Sequence, residues 1–402
     1  MPNLRSLDLN SLELSDEFYS TMASEASISK IEELTHWGAD LGSHASSYYA
    51  IGLCSMPNLR SLDLRLVEMS DEFYSTMASE ASKAKIEKLT HGNADLGPAA
   101  SSHYARGLCS MPNLRSLYLE WMKLSDEFYS TMASEASKSN IEELKHENED
   151  LGSAASSHYA RGLCSMPNLR SLNLLRVKLS DEFYSMMASE ASTSKIQTLS
   201  MRGVSITPCR LNSILSLPRL QSLSLDDIRP VDIDNGETLT RQITSESVDE
   251  LSVDGKHVTS LWNRGLHTSC PRVKTLRLGW STQENVSSDI VTIACSLFNH
   301  LTHLHIQGDL VYPTSVTLDD PVSFCESGIT SCPRLTKLSI SNVDLFNKKA
   351  AEIIQLMKTH VHLTNIELER CRTNTDLDPL ISEVNSEGKL TVTTIHGRWY
   401  EF

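Results

Sequence analysis

The chain has no run of 18 or more apolar residues, so no segment of it is suited to cross a bilayer as a helix. Its first residues lack a basic stretch followed by an apolar core, and a secretory leader is not expected. Lys and Arg total 36 against 51 Asp and Glu, a net charge of −15. A phosphate backbone calls for a surface rich in Lys and Arg, so nucleic acid is not the expected partner, and neither is a membrane. The balance suits a basic partner. Also missing are a P-loop, G-x-G-x-x-G, H-E-x-x-H, G-x-S-x-G and C-x-x-C. Without them there is no signature of phosphate cradling, hydride transfer, zinc hydrolysis, acyl transfer or thiol exchange, and a non-enzyme without cofactor or metal is the expectation.

Cysteine is scarce, and its count of nine is odd. Cys54, Cys109 and Cys164 fall at one repeated position. If each repeat adds one strand spacing, such positions lie roughly 10 Å apart, beyond the about 7 Å that a disulfide spans between Cα atoms. Buried free thiols in a reducing, cytoplasmic setting are expected. The single sequon, Asn285-Val286-Ser287, carries little weight without a leader.

What is abundant is repetition. MPNLRSLDLNSLELSDEFYSTMASEAS at Met1 returns barely altered at Met56, Met111 and Met166, a period of 55 residues. Each period holds two L-x-x-L-x-L signatures, Leu4, Leu7, Leu9 and then Ile31, Leu34, His36. Strand starts are expected at residues 4, 31, 59, 86, 114, 141, 169 and 196, then in diverged form at 220, 248, 273, 301, 335 and 363, with a weaker one near Leu390. Alternation within LRSLDL puts leucines on one strand face and the intervening residues on the other. SDEFYSTMASEAS reads as a helix with Ser15 at its N-cap, Asp16 and Glu17 at the positive end of its dipole, and Phe18, Met22 and Ala26 on one face. Ala45, Tyr49 and Leu53 repeat that pattern in the second half, and Pro57 ends the helix. Each strand–helix unit has an apolar side it cannot bury alone, so neighbours stack. One elongated domain over residues 1–402 is expected, near-identical over 1–200 and diverged over 201–402, bent into a horseshoe with parallel strands on its concave face and helices on its convex face.

CSMPNLRSLDL, with strand–helix repeats of 27 and 28 residues, resembles the ribonuclease-inhibitor-like subtype of leucine-rich repeat. SLPRLQSLSL, SCPRVKTLRL and SCPRLTKLSI are similar to repeats of NACHT-type (NOD-like) innate immune receptors. The resemblance covers nearly the whole chain and implies a recognition scaffold, with the sensing region of such a receptor as its finer form. A fold does not dictate a function. A substrate-binding arm of a ubiquitin ligase, an enzyme inhibitor and a secreted ectodomain remain alternatives, the last disfavoured by the missing leader.

The four copies differ in few places. Just past the second leucine they read DLNSLEL, DLRLVEM, YLEWMKL and NLLRVKL. The two sites beyond LxL carry Asn10-Ser11, Arg65-Leu66, Glu120-Trp121 and Leu175-Arg176, and the site inside it carries Asp8, Asp63, Tyr118 and Asn173. The other half varies at Trp37-Gly38, Gly92-Asn93, Glu147-Asn148 and Arg202-Gly203. Leu12, Val67, Met122 and Val177 vary only conservatively and are assigned to the core. Drift would also have marked the helix face of Asp16, Ser20 and Ser24, which is constant. A concave face that binds a protein or other macromolecule is therefore expected at Asp8, Asn10, Trp37, Asp63, Arg65, Tyr118, Glu120, Trp121, Asn173, Arg176, Arg202, Arg277 and Trp280.

His36, His91 and His146 occupy an inward position and read as core histidines bonded to backbone rather than a metal ladder. His303 and His305 share a strand face near His300, without matching Cys, Asp or Glu to complete a metal site. Asp226, Asp227, Asp232 and Asp234 lack the spacing and glycine of a calcium loop and read as an exposed rim. Residues 307–323 lengthen one repeat and form either a contact loop or an inert one. Met1 is in phase with the repeat and nothing caps the first strand, so further repeats or domains upstream are expected; Trp399, Tyr400 and Phe402 read as a C-terminal cover.

Overall fold

The computed structural model describes residues 4–227, 229–230, 244–254, 261, 265–280, 285–308, 316–318, 320–345, 349–371, 373 and 376–395. Asp232, Asp234, Trp399, Tyr400 and Phe402, and residues 309–315 of the lengthened repeat, lie outside them. The chain divides into two compact units, Met1–Leu220 and Gln221–Phe402.

In the first unit eight strands form a parallel sheet in sequence order: β1 (Ser6–Asp8), β2 (Glu33–Leu41), β3 (Ser61–Met69), β4 (Lys88–Gly92), β5 (Ser116–Glu120), β6 (Glu143–Glu147), β7 (Ser171–Leu175) and β8 (Thr198–Arg202). Each begins two residues after the leucine or isoleucine from which it was expected. The ladder pairs Leu7, Leu34, Leu62, Leu89, Leu117, Leu144, Leu172 and Leu199 in register. In the second unit seven parallel strands follow the same order: β9 (Ser222–Asp226), β10 (Glu250–Asp254), β11 (Thr275–Gly279), β12 (His303–Gln307), β13 (Lys337–Ser341), β14 (Asn365–Glu369) and β15 (Thr391–Ile395). Parallel pairing of neighbours demands a crossover between every two strands, and in the first unit helices supply it.

Those helices in the first unit are α1 (Asp16–Glu25), α2 (Ser43–Ser55), α3 (Asp71–Glu80), α4 (Pro98–Ser110), α5 (Asp126–Glu135), α6 (Ser153–Ser165), α7 (Asp181–Ser189) and α8 (Pro208–Leu215). The apolar helix face is the expected one: Phe73, Met77 and Ala81 are buried, as are Ala45, Tyr49 and Leu53. In α1 Phe18 and Met22 are only half-buried, because α1 belongs to the first described repeat and has a neighbour on one side. Leu12 departs from its assignment to the core for the same reason: it is 44% exposed, while Val67, Met122 and Val177 are buried. Ser15 stands at the N-cap with extended backbone, yet it makes no side-chain cap to the helix backbone.

Two polar devices run through this core. Ser46 donates to Leu41 O at 2.9 Å and accepts from the Ser70 N–H at 3.1 Å, and Ser101 and Ser156 repeat both bonds. A hydroxyl buried without partners would cost about 1–3 kcal/mol, and the same bonds satisfy it at all three positions. The histidines depart from the sequence reading. His36, His91 and His146 are buried, but their Nδ1 atoms share hydrogen bonds with the hydroxyls of Tyr49, Tyr104 and Tyr159, at 3.1, 2.9 and 3.1 Å, rather than with backbone. The tyrosine lies 13 residues on, one helix face away, and its ring packs edge-on against the imidazole. Burial pushes the His36 imidazole down to about 4 and that of His91 to about 3, so both rings are neutral. Cys54, Cys109 and Cys164 are buried free thiols, each pushed up to about 12 by burial. No helix among the described residues is long and apolar enough to cross a membrane.

A candidate recognition face

The residues between the ladder leucines point away from the helices. Their alignment follows from the register: Asp8, Thr35, Asp63, Thr90, Tyr118, Lys145, Asn173 and Ser200 form one row. Trp37, Arg65, Gly92, Glu120, Glu147, Leu175 and Arg202 form a second. Asn10 continues the second row just past β1, its N–H bonded to the Asp8 carboxylate at 2.9 Å. The sites at which the copies differ thus lie side by side on the sheet face that no helix covers.

Their side chains interlock. Arg65 donates from Nε and Nη2 to both carboxylate oxygens of Asp63, at 3.0 and 2.8 Å. Its guanidinium lies 4.3 Å from the centre of the Trp37 ring and 3.7 Å from the Glu120 carboxylate across β4. Gly92 makes this crossing possible, since a Cβ there would stand 2.8 Å from Glu120 O and 3.3 Å from the Arg65 Cγ. Next along the sheet, the Tyr118 hydroxyl donates to Glu147 at 2.5 Å, and Lys145 Nζ sits 4.0 Å from the Tyr118 ring centre. Burial and the Glu147 carboxylate push the Tyr118 hydroxyl pKa up, so it stays a donor. Glu147 is one of the variable sites of the second half-repeat, whereas Lys145 is not singled out by the sequence. Comparing Thr35, Thr90, Lys145 and Ser200 would have found the lysine.

The last variable site of each copy has left-handed backbone: Ser11, Leu66, Trp121 and Arg176 have φ of 55, 57, 53 and 54°, a turn just past the outward row of the strand. In the alternate repeats the same turn holds Gly38, Asn93, Asn148 and Gly203, the residue types that adopt it at least cost. The turn throws its side chain outward: Leu66 is 57% and Trp121 51% exposed. Arg176 lies over Gly203, whose missing Cβ would meet the Arg176 Cγ at 2.8 Å. Asn173 is half-buried, and Arg202 is exposed.

In the second unit Arg277 lies on the outward face of β11, bonded to Glu250 at 2.8 Å and to His305 Nδ1 at 3.4 Å. Because Arg277 can only donate, His305 carries its proton on Nε2 and donates it to Ser341 Oγ at 2.8 Å. Burial first, and Arg277 second, push His305 down to about 4. Lys337 pairs with Glu367 at 2.7 Å, closing a depression of about 410 Å³ in which every charge is matched. Trp280 does not join it. The ring is 4% exposed, because residue 280 does not adopt the left-handed turn that turns Leu66 and Trp121 outward. The placement of Trp280 on the binding face is therefore corrected: its indole belongs to the core. Among the described residues no three His, Cys, Asp or Glu side chains gather as a metal site.

Parallel strands in leucine register, followed in the first unit by left-handed turns and crossover helices, define an α/β leucine-rich repeat solenoid in each unit. No protein-family model and no curated protein matches the chain. Solved structures with similar chains include a TLR13–ssRNA13 complex, at 14% identity and a TM-score of 0.32, covering 98% of this chain and 65% of that one. Another is a complex of Rad7 and Elc1 in yeast, at 13% identity and a TM-score of 0.36, covering 94% of this chain and 88% of that one. At such scores neither likeness bears on what the protein does.

Proposed function

We propose that the protein is a non-catalytic recognition scaffold whose outward sheet face in the first unit binds another protein. One observation carries this reading: within the 27-residue segment that returns at Met1, Met56, Met111 and Met166, the sites that vary most stand side by side on the sheet face that no helix covers. Leu62 and Phe73, side chains constant in all four copies, are buried and build the repeat. Large aromatic and arginine side chains on the varied face, Trp37, Tyr118, Trp121 and Arg65, are the types that dominate protein interfaces. The net charge of −15 opposes a nucleic-acid partner. The finer reading is the sensing region of a NOD-like receptor, supported by the SCPRVKTLRL-type repeats of the second unit. Full-length chain carrying Tyr118→Ala with Trp121→Ala should capture about tenfold less partner from a lysate than the parent. Ser130→Ala with Ser134→Ala, on the exposed side of α5, should capture as the parent does. Equal capture by the face variant and the parent would overturn the reading.

A further inference from the structure

The outward face is not uniform, and its unevenness selects a partner. Leu66 and Trp121, its two most exposed large apolar side chains, stand two strands apart, roughly 10 Å. Beyond the turn at Leu66, Asp40 and Glu68 face each other across β2 and β3. Both are exposed, and neither has a cationic partner among the described residues. Like charges directly opposite destabilise a sheet. The remedy exists in this same chain, where the next copies hold Asp95–Lys123 at 3.1 Å and Asp150–Lys178 at 2.7 Å. Glu13, at the equivalent place of the first repeat, is exposed as well. Arg65, three residues before Glu68 on β3, is already held by Asp63 and Glu120.

An exposed apolar pair beside an unmatched acidic row fits a complementary surface with basic groups beside two apolar anchors. Residues seven apart on one helix face are about 10.5 Å apart, which matches the Leu66–Trp121 spacing. Resting on the recognition face argued above, we propose that Leu66 and Trp121 seat two apolar side chains of a basic amphipathic helix of a partner protein, whose Lys or Arg residues pair with Asp40 and Glu68. An acidic partner is repelled by this row, and a second copy of the chain brings the same sign of charge.

The test is a displayed library of helix-forming peptides of about 20 residues, randomised along one face and selected on the full-length chain. The expected winners carry net positive charge with apolar residues seven apart. Their affinity should fall about tenfold on chain bearing Asp40→Lys with Glu68→Lys, and fall again with added salt. Lysine already stands in the same row at Lys123 and Lys178, so the variant should fold, and an unchanged thermal midpoint is its control. Enrichment of neutral or acidic peptides, equal binding to the lysine variant, no enrichment, or self-association of the chain as the sole contact overturns the proposal. Peptides lost on Tyr118→Ala with Trp121→Ala but indifferent to the lysine variant overturn the basic helix and leave the recognition face standing.

Discussion

At residue 66 a leucine sits with φ of 57° and more than half its side chain in solvent, where its counterpart at residue 203 is glycine. The left-handed conformation costs an L-residue about 1–2 kcal/mol, and the partly exposed side chain returns little by burial. Leu66→Gly should therefore shift unfolding free energy by no more than about 1 kcal/mol, as relief of the turn offsets lost apolar contact. Leu64→Ala, two residues earlier and buried, should cost about 2–5 kcal/mol. Urea titrations of the two variants check this, and similar losses for both would contradict it. The buried histidines give a second residue-scale expectation. The folded pKa of His36 and His91 lies below the usual value near 6.5, so protons bind the unfolded chain preferentially between that value and the folded one. Their contribution is complete above about pH 6.5 and is lost as pH falls toward 4, with a slope approaching about 1.4 kcal/mol per pH unit for each ring. Replacing His91 by Met together with Tyr104 by Phe should flatten the fall in stability measured between pH 7 and pH 5.5; an unchanged slope would contradict the assignment. Copy four already places Met201 in this row.

At the scale of single elements, the serine that joins strand end, helix and next loop is as much a part of the repeat as its leucines. Ser101→Ala strips a partner from Leu96 O and from the Ser125 N–H, and should cost about 1–3 kcal/mol in a denaturant titration. Its neighbour Ser102, half-buried and bonded only to Thr131, should cost less when made alanine. These elements were legible in the sequence because period-2 leucines and helix-spaced Phe, Met and Ala are patterns of side-chain type. What was not legible came from backbone conformation. Gly38 and Asn93 mark a left-handed turn by their type, but Ser11, Leu66, Trp121 and Arg176 do not, so the turn is hidden at those sites. The same blindness placed Trp280 on the binding face, since the sequence does not show that the turn is missing there. The tyrosine partners of His36 and His91 are hidden for another reason: by its spacing with Ala45 and Leu53, Tyr49 reads only as an apolar helix position.

Across the first unit, identical copies generate an identical framework, and a ladder of alternating side chains separates what holds the repeats together from what faces outward. That separation makes Asp63, Arg65, Tyr118 and Glu120 readable as residues of the outward face, whereas their mutual contacts, and the joining of Lys145 and Glu147 to them, depend on register across neighbouring strands. The measurement that tests the recognition face most directly is site-specific photo-crosslinking in cells, with a photoreactive phenylalanine placed in the full-length chain at residue 121 or at residue 130. Protein adducts should form from position 121 on the sheet face and be sparse from position 130 on the exposed side of α5. Adducts concentrated at position 130, with none at 121, would contradict the account.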